Sequence, residues 1–211
     1  MYTHRTFLFI LGYHEDYIIR RLHRSHATRL DAIVLISPSP LAGALKRAYL
    51  NLEAYLSKIG LNQPKLIQVP QTNIDETITT ITRELRKQPQ PIILDLTGGN
   101  RLLATITLLI LLATKKQVEI YIQPETEEPW EIRIPHQIIK LIHNPLTEEK
   151  KKILQTIIEN PGITIEELAK THNKTPKTMK NYINQLKRNE LIIQKGRKAA
   201  VYPTQWAKLI I

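Results

Sequence analysis

The sequence contains no cysteine. Disulfide bridges, cysteine-ligated zinc and thiol catalysis are therefore excluded, and the composition fits a reducing cytoplasm. A long apolar run is also missing, because residues 102–113 are interrupted by threonines and fall short of the roughly 20 residues that span a bilayer. The apolar segment near the start is not followed by the small-residue cleavage site of a secretory signal. These absences predict a soluble, cytoplasmic protein with no membrane partner.

Two nucleotide-binding signatures are absent as well, the GxGxxG of dinucleotide-binding folds and the GxxxxGK of phosphate-binding loops. Among the seven histidines, His23 and His26 are three apart in a helix-like segment. A zinc pair there is the alternative to an ordinary surface face, which we favour. We predict no metal site.

The 211 residues suffice for one medium domain and one small one, and a 42% hydrophobic content allows packed cores. Strand-like and helix-like segments alternate over the first two thirds. Strands are predicted at 6–11, 32–37, 65–69, 91–96, 118–122 and 130–134, and helices at 15–24, 41–59, 74–87 and 100–114. This order predicts an α/β fold over residues 1–134, with a Rossmann-like, mostly parallel sheet between helices. An unrelated three-layer α/β enzyme is the alternative.

A different pattern follows a predicted connecting helix and linker at 135–146. Thr164 with Glu167 three residues later predicts a capping box at the start of a short helix. Pro176 begins a third helix, at a position where its missing N–H costs nothing. Two strand-like pieces at 191–194 and 200–202 flank a basic turn. Three helices and a hairpin in this order resemble a winged helix-turn-helix domain over residues 147–211.

Positive charge is concentrated in this second domain. Residues 1–143 carry 17 Lys and Arg against 13 Asp and Glu, a net +4, whereas residues 144–211 carry 13 against 6, a net +7. A basic small domain indicates a polyanionic partner, and we predict double-stranded promoter DNA. A winged helix used for dimerisation or protein interaction is the alternative.

The third helix of this domain has the size of a major-groove recognition helix. Thr178 and Asn181 are the candidates for base reading. Phosphate contacts are assigned to Lys177, Lys180, Lys187 and Arg188, wing contacts to Lys195, Arg197 and Lys198, and Thr175 and Asn184 complete the predicted DNA-binding set.

Two loops after strands one and four are the candidate ligand site. Strands one and four are expected to be neighbours where the strand order reverses, and ligands bind beyond the carboxyl ends of strands at such a point. The second loop, TGGNR at 97–101, has paired glycines before a helix start, a combination that suits an anion. Arg101 and the Thr97 hydroxyl could complete a phosphate or ribose cradle. Tight-turn chemistry alone is the alternative for the glycines.

The segments ILDLTGGNRLLATITLLILLA, FLFILGYHEDYIIRRL and VLISPSPLAGALKRA resemble the CRISPR-associated Rossmann-fold (CARF) domain. With the winged helix, the whole chain is similar to archaeal CARF transcriptional regulators of type I-A CRISPR systems, which serve antiviral defence. The resemblance implies a homodimer that binds a cyclic oligoadenylate, cyclic tetra-adenylate above all, across its two-fold axis and controls CRISPR-Cas genes. It assigns the ligand to Gly12, Tyr13, His14, Ser37, Pro38, Ser39, Thr97, Gly98, Gly99, Asn100 and Arg101.

Some CARF proteins cleave their cyclic ligand, so a ring nuclease degrading cyclic tetra-adenylate is the alternative function. Ring opening needs a positioned ribose 2′-hydroxyl and stabilisation of the developing charge. His14 would be the acid–base candidate, with Ser39, Asn100 and Arg101 nearby. We predict a sensor without catalytic residues or cofactor, and we assign Asp95 as a hydrogen-bond acceptor at a strand end.

Overall fold

The computed structural model describes residues 4–124, 130–196 and 199–211. The chain divides into two compact units, Met1–His136 (unit 1) and Gln137–Ile211 (unit 2). The described elements of unit 1 are β1 (Thr6–Ile10), α1 (Asp16–Arg24), β2 (Ala32–Ser39), α2 (Gly43–Ile59), β3 (Lys65–Pro70), α3 (Ile74–Arg86), β4 (Ile92–Asp95), α4 (Arg101–Ala113), β5 (Val118–Ile122) and β6 (Ile132–Ile134).

Within the described residues, the strands of unit 1 form one sheet in the order β3-β2-β1-β4-β5-β6. All neighbouring pairs are parallel except β5 with β6, which are antiparallel. The prediction of a mostly parallel α/β sheet is confirmed. β1 lies between β2 and β4. Strands are added on one side of β1 up to β3 and on its other side from β4 onwards, so the strand order reverses between β1 and β4, where a doubly wound fold opens a crevice.

The core explains why the strand sequences are continuously apolar. Phe7 and Phe9 of β1 pack with Leu52 and Leu56 of α2 in a cluster on one face of the sheet. Leu8 of β1 is completely buried as well, and it points to the opposite face because successive side chains alternate. Helices α3 and α4 contact each other and belong to that second face. Both faces of the sheet are therefore covered, as continuous apolar strands require.

Helix ends in unit 1 follow the predicted signals. Gly60 ends α2 in a left-handed conformation with φ 72°, and its N–H donates to the carbonyl of Ser57. Asn73 caps α3 by accepting from the N–H of Glu76 at 3.1 Å. α1 ends at Arg24, so His26, which has φ 49°, does not lie on that helix. The helical spacing assumed for His23 and His26 was therefore wrong.

Unit 2 is built on the predicted order of helices and hairpin. Its described elements are α5 (His136–His143, beginning at the unit boundary), α6 (Glu148–Glu159), α7 (Ile165–Thr171), α8 (Pro176–Arg188), β7 (Ile192–Lys195), β8 (Ala200–Pro203) and α9 (Ala207–Ile210). The capping box of α7 is confirmed, since Thr164 and Glu167 exchange their side-chain and backbone bonds. Met179, Ile183 and Leu186 bury one side of α8, as predicted. α9 was not predicted.

Two absences concern the described part of the chain only. Over residues 4–124, 130–196 and 199–211, no helical segment combines the length and the apolarity needed to cross a bilayer. Over the same ranges, no three His, Asp or Glu side chains come together as metal ligands would. His23 instead lies 2.6 Å from the Tyr55 hydroxyl, measured from its Nε2 atom.

Candidate functional site

A cleft of about 360 Å³ opens at the carboxyl ends of the parallel strands. Its volume falls in the range typical of small-molecule sites. The cleft is lined by Leu11, Gly12, Tyr13, Pro38, Leu45, Gln71, Gly99 and Asn100. Five of these residues belong to the predicted ligand set, so the structure brings together parts of all three predicted loops at the point where the strand order reverses.

Glycine at two positions allows the loops after β1 and β4 to touch. A Cβ atom on Gly12 would lie 2.9 Å from the backbone nitrogen of Gly99. Gly99 itself has φ 92°, and a Cβ there would lie 2.5 Å from the carbonyl oxygen of Ile10. Both contacts are shorter than any side chain tolerates, so Gly12 and Gly99 are required for the close approach of the two loops, and Gly99 also for the turn. The floor of the cleft depends on this packing.

The first turn of α2 forms one lip of the cleft through Leu45. Its N-cap residue, Ala42, has no side chain to accept from the free N–H groups. The first turn contains no acidic residue; Lys46 lies at its end, and Arg47 follows. Cations at the positive end of a helix dipole are unfavourable by themselves, so this lip is electrostatically suited to an anion. From the sequence, this property was predicted only for α4.

The remaining predicted ligand residues do not line the cleft. Ser37 is completely buried, and its hydroxyl donates to the carbonyl of Pro38, so it is unavailable to a ligand. The Thr97 hydroxyl accepts from the N–H of Gln123 at 3.0 Å and holds the loop onto the end of β5. The other four members of the set belong to the same loops but do not line the cleft; they are Gly98, which is half-buried, and the exposed His14, Ser39 and Arg101.

Two lining residues, Leu45 and Gln71, were not predicted from the sequence. Gln71 directly follows β3, whose carboxyl end lies beside that of β2. Parallel strands end at the same edge of a sheet, so the residue after β3 is a candidate for the same reason as those after β1 and β4. The signal that would have identified Gln71 is therefore present in the sequence.

Asp95, the last residue of β4, holds the TGGNR loop from below. Its Oδ1 atom accepts from the N–H of Thr97 at 2.8 Å, and its Oδ2 atom accepts from Nε of Arg21 at 2.8 Å. The prediction that Asp95 is a strand-end acceptor is confirmed. Arg21 and Asp95 are 3% and 5% exposed, so this is a buried ion pair.

Arg21 makes further contacts that satisfy its buried guanidinium. Its Nη2 atom donates to Glu131 at 2.6 Å, and the guanidinium lies 3.8 Å from the ring centroid of Tyr121. Burial opposes the charge, but the carboxylates of Glu131 and Asp95 outweigh it and raise the pKa of Arg21. Burial alone would raise the pKa of Glu131, but the hydrogen bonds and positive charges of Arg21 and Arg24 have the larger effect, so its pKa is lowered. The α1 helix is thereby fixed to both β4 and the approach to β6.

In unit 2, most of the predicted DNA-binding residues lie along the exposed side of α8, and Lys195 lies at the end of β7. Nearly all are exposed, because the other side of α8 is buried in the domain core. The exposed members are Thr175, Lys177, Lys180, Asn181, Asn184, Lys187, Arg188 and Lys195. Arg197 and Lys198, predicted for the wing, lie outside the described residues.

The two candidates for base reading differ in availability. Thr178 is half-buried, and its hydroxyl lies 3.0 Å from that of Thr175, which caps α8 by accepting from the N–H of Thr178. Asn181 is exposed one turn further along, and its side chain makes no hydrogen bond within the described part of the chain. Asn181 is therefore the better placed of the two.

The position of α8 in unit 2 is fixed by a polar contact with α6. Glu149 accepts from the Tyr182 hydroxyl on α8 at 2.5 Å and pairs with Lys174 at 2.6 Å. The hydrogen bond to Glu149 raises the pKa of Tyr182. Lys195 of the hairpin lies 5.7 Å from the ring centroid of Tyr202. α8 is thus joined to α6 by a polar contact in addition to its buried side, and its opposite surface remains exposed.

Comparison with known families and proteins agrees with this architecture. The model of the Csa3 CRISPR-associated Rossmann-like domain matches residues 5–135, and a winged helix-turn-helix DNA-binding model matches residues 147–193. The chain is similar to Csa3, a CRISPR locus-related protein of Saccharolobus solfataricus, with 28% identity over 197 residues. That alignment covers 93% of this chain and 83% of the other.

Solved structures show weaker likenesses. Can2 of Sulfobacillus thermosulfidooxidans, solved in complex with cyclic tetra-adenylate, is 11% identical with a TM-score of 0.45, over 98% of this chain and 63% of that one. Csm6 of Enterococcus italicus is 12% identical with a TM-score of 0.49, over 90% and 56%. The chain thus spans less than two thirds of either structure, and likenesses this distant identify no ligand or activity.

Proposed function

Because the chain belongs to the family of the Csa3 CRISPR-associated Rossmann-like domain, we propose that it is a transcriptional regulator of CRISPR-Cas genes that binds DNA and responds to a cyclic oligoadenylate. The observation that carries the proposal is the pairing of two sites in one chain. Unit 1 has a cleft at the crossover of a doubly wound sheet, and unit 2 has a cationic recognition-helix surface.

The DNA-binding part of the proposal follows from charge and exposure. The exposed surface of α8 carries Lys177, Lys180, Lys187 and Arg188, and contains no acidic residue between Pro176 and Arg188. Such cations contact phosphates and position a helix without reading sequence. Asn181 lies among them with an unengaged amide, which can bond an adenine edge in the major groove.

We expect Lys180→Ala to weaken binding to promoter and scrambled duplexes alike and to lower the slope of log K against log salt by about 1, because one phosphate contact is lost. Asn181→Ala should weaken binding to the promoter duplex alone, by about 1–3 kcal/mol. Gel shifts at several salt concentrations measure both effects.

Lys151→Ala is the matched control, because Lys151 lies on α6 and pairs with Glu148 at 2.8 Å. It should leave both the affinity and the salt slope unchanged. Equal behaviour of the Lys151 and Lys180 variants would contradict the assignment of α8 as the DNA-contacting helix and would favour a winged helix used for protein interaction.

The ligand-binding part rests on the lip and the loops of the cleft. The uncapped first turn of α2 offers free N–H groups, and the start of α4 adds a second helix N-terminus after the glycine turn. Arg101, exposed at the first position of α4, can pair with a phosphate in the charge-assisted geometry that arginine favours. A cyclic oligoadenylate, cyclic tetra-adenylate in particular, supplies phosphates for these groups.

Dimerisation of unit 1 is supported by an apolar surface on α3 and α4. Leu109 is 59% exposed and Ile78 is 41% exposed, and both line a groove of about 420 Å³ between the helices. Contiguous exposed apolar surface of this kind marks an interaction site. α4 begins directly at the TGGNR loop, so a two-fold contact between α4 helices would bring two ligand loops together. We therefore propose that a second copy of the chain packs against this groove between α3 and α4.

We expect wild-type protein to bind one cyclic tetra-adenylate for every two chains, and Arg101→Ala to weaken that binding by about 1.5–3 kcal/mol through loss of a charged hydrogen bond. Isothermal titration calorimetry gives both the stoichiometry and the affinity.

The control for this titration is Lys58→Ala, which removes an exposed cation from the last turn of α2, at the end remote from the lip. Its affinity should equal that of wild type. Unchanged binding by the Arg101 variant would remove Arg101 from the site. Linear products in the recovered ligand would favour the ring-nuclease alternative, for which His14 is exposed but outside the cleft lining.

A further inference from the structure

The interior of the cleft, unlike its α2 lip, has the wrong chemistry for a phosphate and the right chemistry for a nucleobase. None of its described lining residues is charged. Its walls are formed by Leu11, Pro38 and Leu45, and its polar side chains are one phenol and two amides. A phosphate buried among such groups would lack a compensating charge, whereas a flat, partly apolar base would not need one. The cations Lys46, Arg47 and Arg101 all lie outside the lining.

The two amides of the cleft differ in what they can offer. The Oδ1 atom of Asn100 already accepts from the N–H of Leu103 at 3.2 Å, so this side chain is held as the cap of α4 and one of its two acceptor positions is taken. Gln71 is exposed at the cleft, and its side chain makes no hydrogen bond within the described residues. Gln71 therefore has both an acceptor and a donor free, side by side on one planar group.

This pair of functions matches one edge of adenine. A glutamine amide can accept from the adenine N6 amino group while it donates to N7. The same amide meets two acceptors, O6 and N7, on guanine or hypoxanthine, so one of the two bonds is lost and replaced by repulsion between oxygens. Tyr13 is 69% exposed at the rim, where its ring can stack on the face of a base.

We propose that the cleft holds an adenine base of the ligand, that Gln71 determines specificity by bonding the N6 and N7 atoms, and that the phosphates lie outside, at the first turn of α2 and the TGGNR loop. This inference rests on the proposed function, since it names which part of a cyclic oligoadenylate enters the cleft. It assigns a selective role to Gln71, a residue outside the three loops predicted from the sequence.

The test compares cyclic tetra-adenylate with cyclic tetra-inosinate, which has the same ribose-phosphate ring and the same charge but O6 in place of the amino group. Wild-type full chain should bind the adenylate more tightly by roughly tenfold or more, since a bidentate contact distinguishes bases by that much. Gln71→Ala should bind the adenylate less tightly by a similar factor and the inosinate with unchanged affinity, so that the discrimination disappears. Because Gln71 is exposed, the substitution does not disturb the core.

Gln117→Ala is the matched control. Gln117 is also an exposed glutamine, but it precedes β5 at the amino end of the strands. This variant should keep the wild-type affinity for both rings. Retention of discrimination by the Gln71 variant, or equal binding of both rings by wild type, would overturn the base assignment while leaving the proposed function intact. Failure of wild type to bind either ring would overturn the proposed function, and this inference with it.

Discussion

Gly99→Ala is expected to destabilise unit 1 by about 2–5 kcal/mol, the sum of a strained backbone conformation and an overpacked contact. The φ angle of 92° is one that alanine rarely adopts, and the new methyl group would lie 2.5 Å from both the carbonyl oxygen and the Cγ2 atom of Ile10. Hydrogen exchange of the full chain, read by mass spectrometry, should show faster exchange in β1 and β4. Peptides of unit 2 serve as the internal reference.

The neighbouring glycine is the matched control for this substitution. A Cβ atom on Gly98 would lie 3.7 Å from Cδ2 of Tyr17, an ordinary van der Waals contact. Gly98→Ala should therefore change the stability of unit 1 by no more than about 0.5 kcal/mol. If both alanine variants exchanged at the same rate, the close approach of the two loops would not be a constraint on the fold.

Arg21→Met is expected to cost about 3–5 kcal/mol of the free energy of unfolding of unit 1, because it leaves the Asp95 carboxylate buried without its cation. A loss of this size is a large part of the roughly 5–15 kcal/mol that stabilises a typical domain. Without its cation the Asp95 carboxylate is drawn towards water, which weakens its bond from the Thr97 N–H, so the loop after β4 should loosen before the rest of the sheet unfolds. Denaturant-dependent hydrogen exchange resolves this order.

Arg24→Met is the control, because it removes an exposed ion pair, Arg24–Glu131, and leaves the buried Arg21–Asp95 pair in place. Arg24 is 38% exposed and donates to the same Glu131 carboxylate at 3.0 Å. Its loss leaves Glu131 paired with Arg21, and an exposed ion pair contributes only about 0–1 kcal/mol. If both methionine variants lost the same free energy of unfolding, burial would not be the reason for the contribution of the Arg21–Asp95 pair to stability.

The strands and helices of unit 1 could be predicted because burial on both faces makes each strand a continuous apolar segment. The errors arose at strand ends, where one or two residues decide whether a side chain lies within the sheet or in the loop that follows it. β2 was predicted to end at residue 37 and continues to Ser39, so Ser37 lies within the sheet and is buried instead of following it. The antiparallel direction of β6 has no signal in a three-residue strand.

The ligand site was predicted in part, because the glycine turns are visible in the sequence and the partners they meet are not. That Gly12 and Gly99 touch each other depends on β1 and β4 being adjacent, a long-range property. The buried partner of Asp95 could not be found for the same reason, since Arg21 is 74 residues away in the chain. In unit 2, by contrast, the exposed surface of α8 follows directly from helical periodicity.

The two outermost strands of the sheet restrict how copies of the protein can associate. β3 is flanked by Pro64 and ends in Pro70, and its Lys65 is half-exposed, while β6 is only three residues long. Proline, charge and shortness each discourage a further strand from hydrogen-bonding to such a border. Pairing of this sheet with strands of another molecule is thereby disfavoured, which protects unit 1 against open-ended fibrous assembly and leaves its helices as the surfaces for self-association.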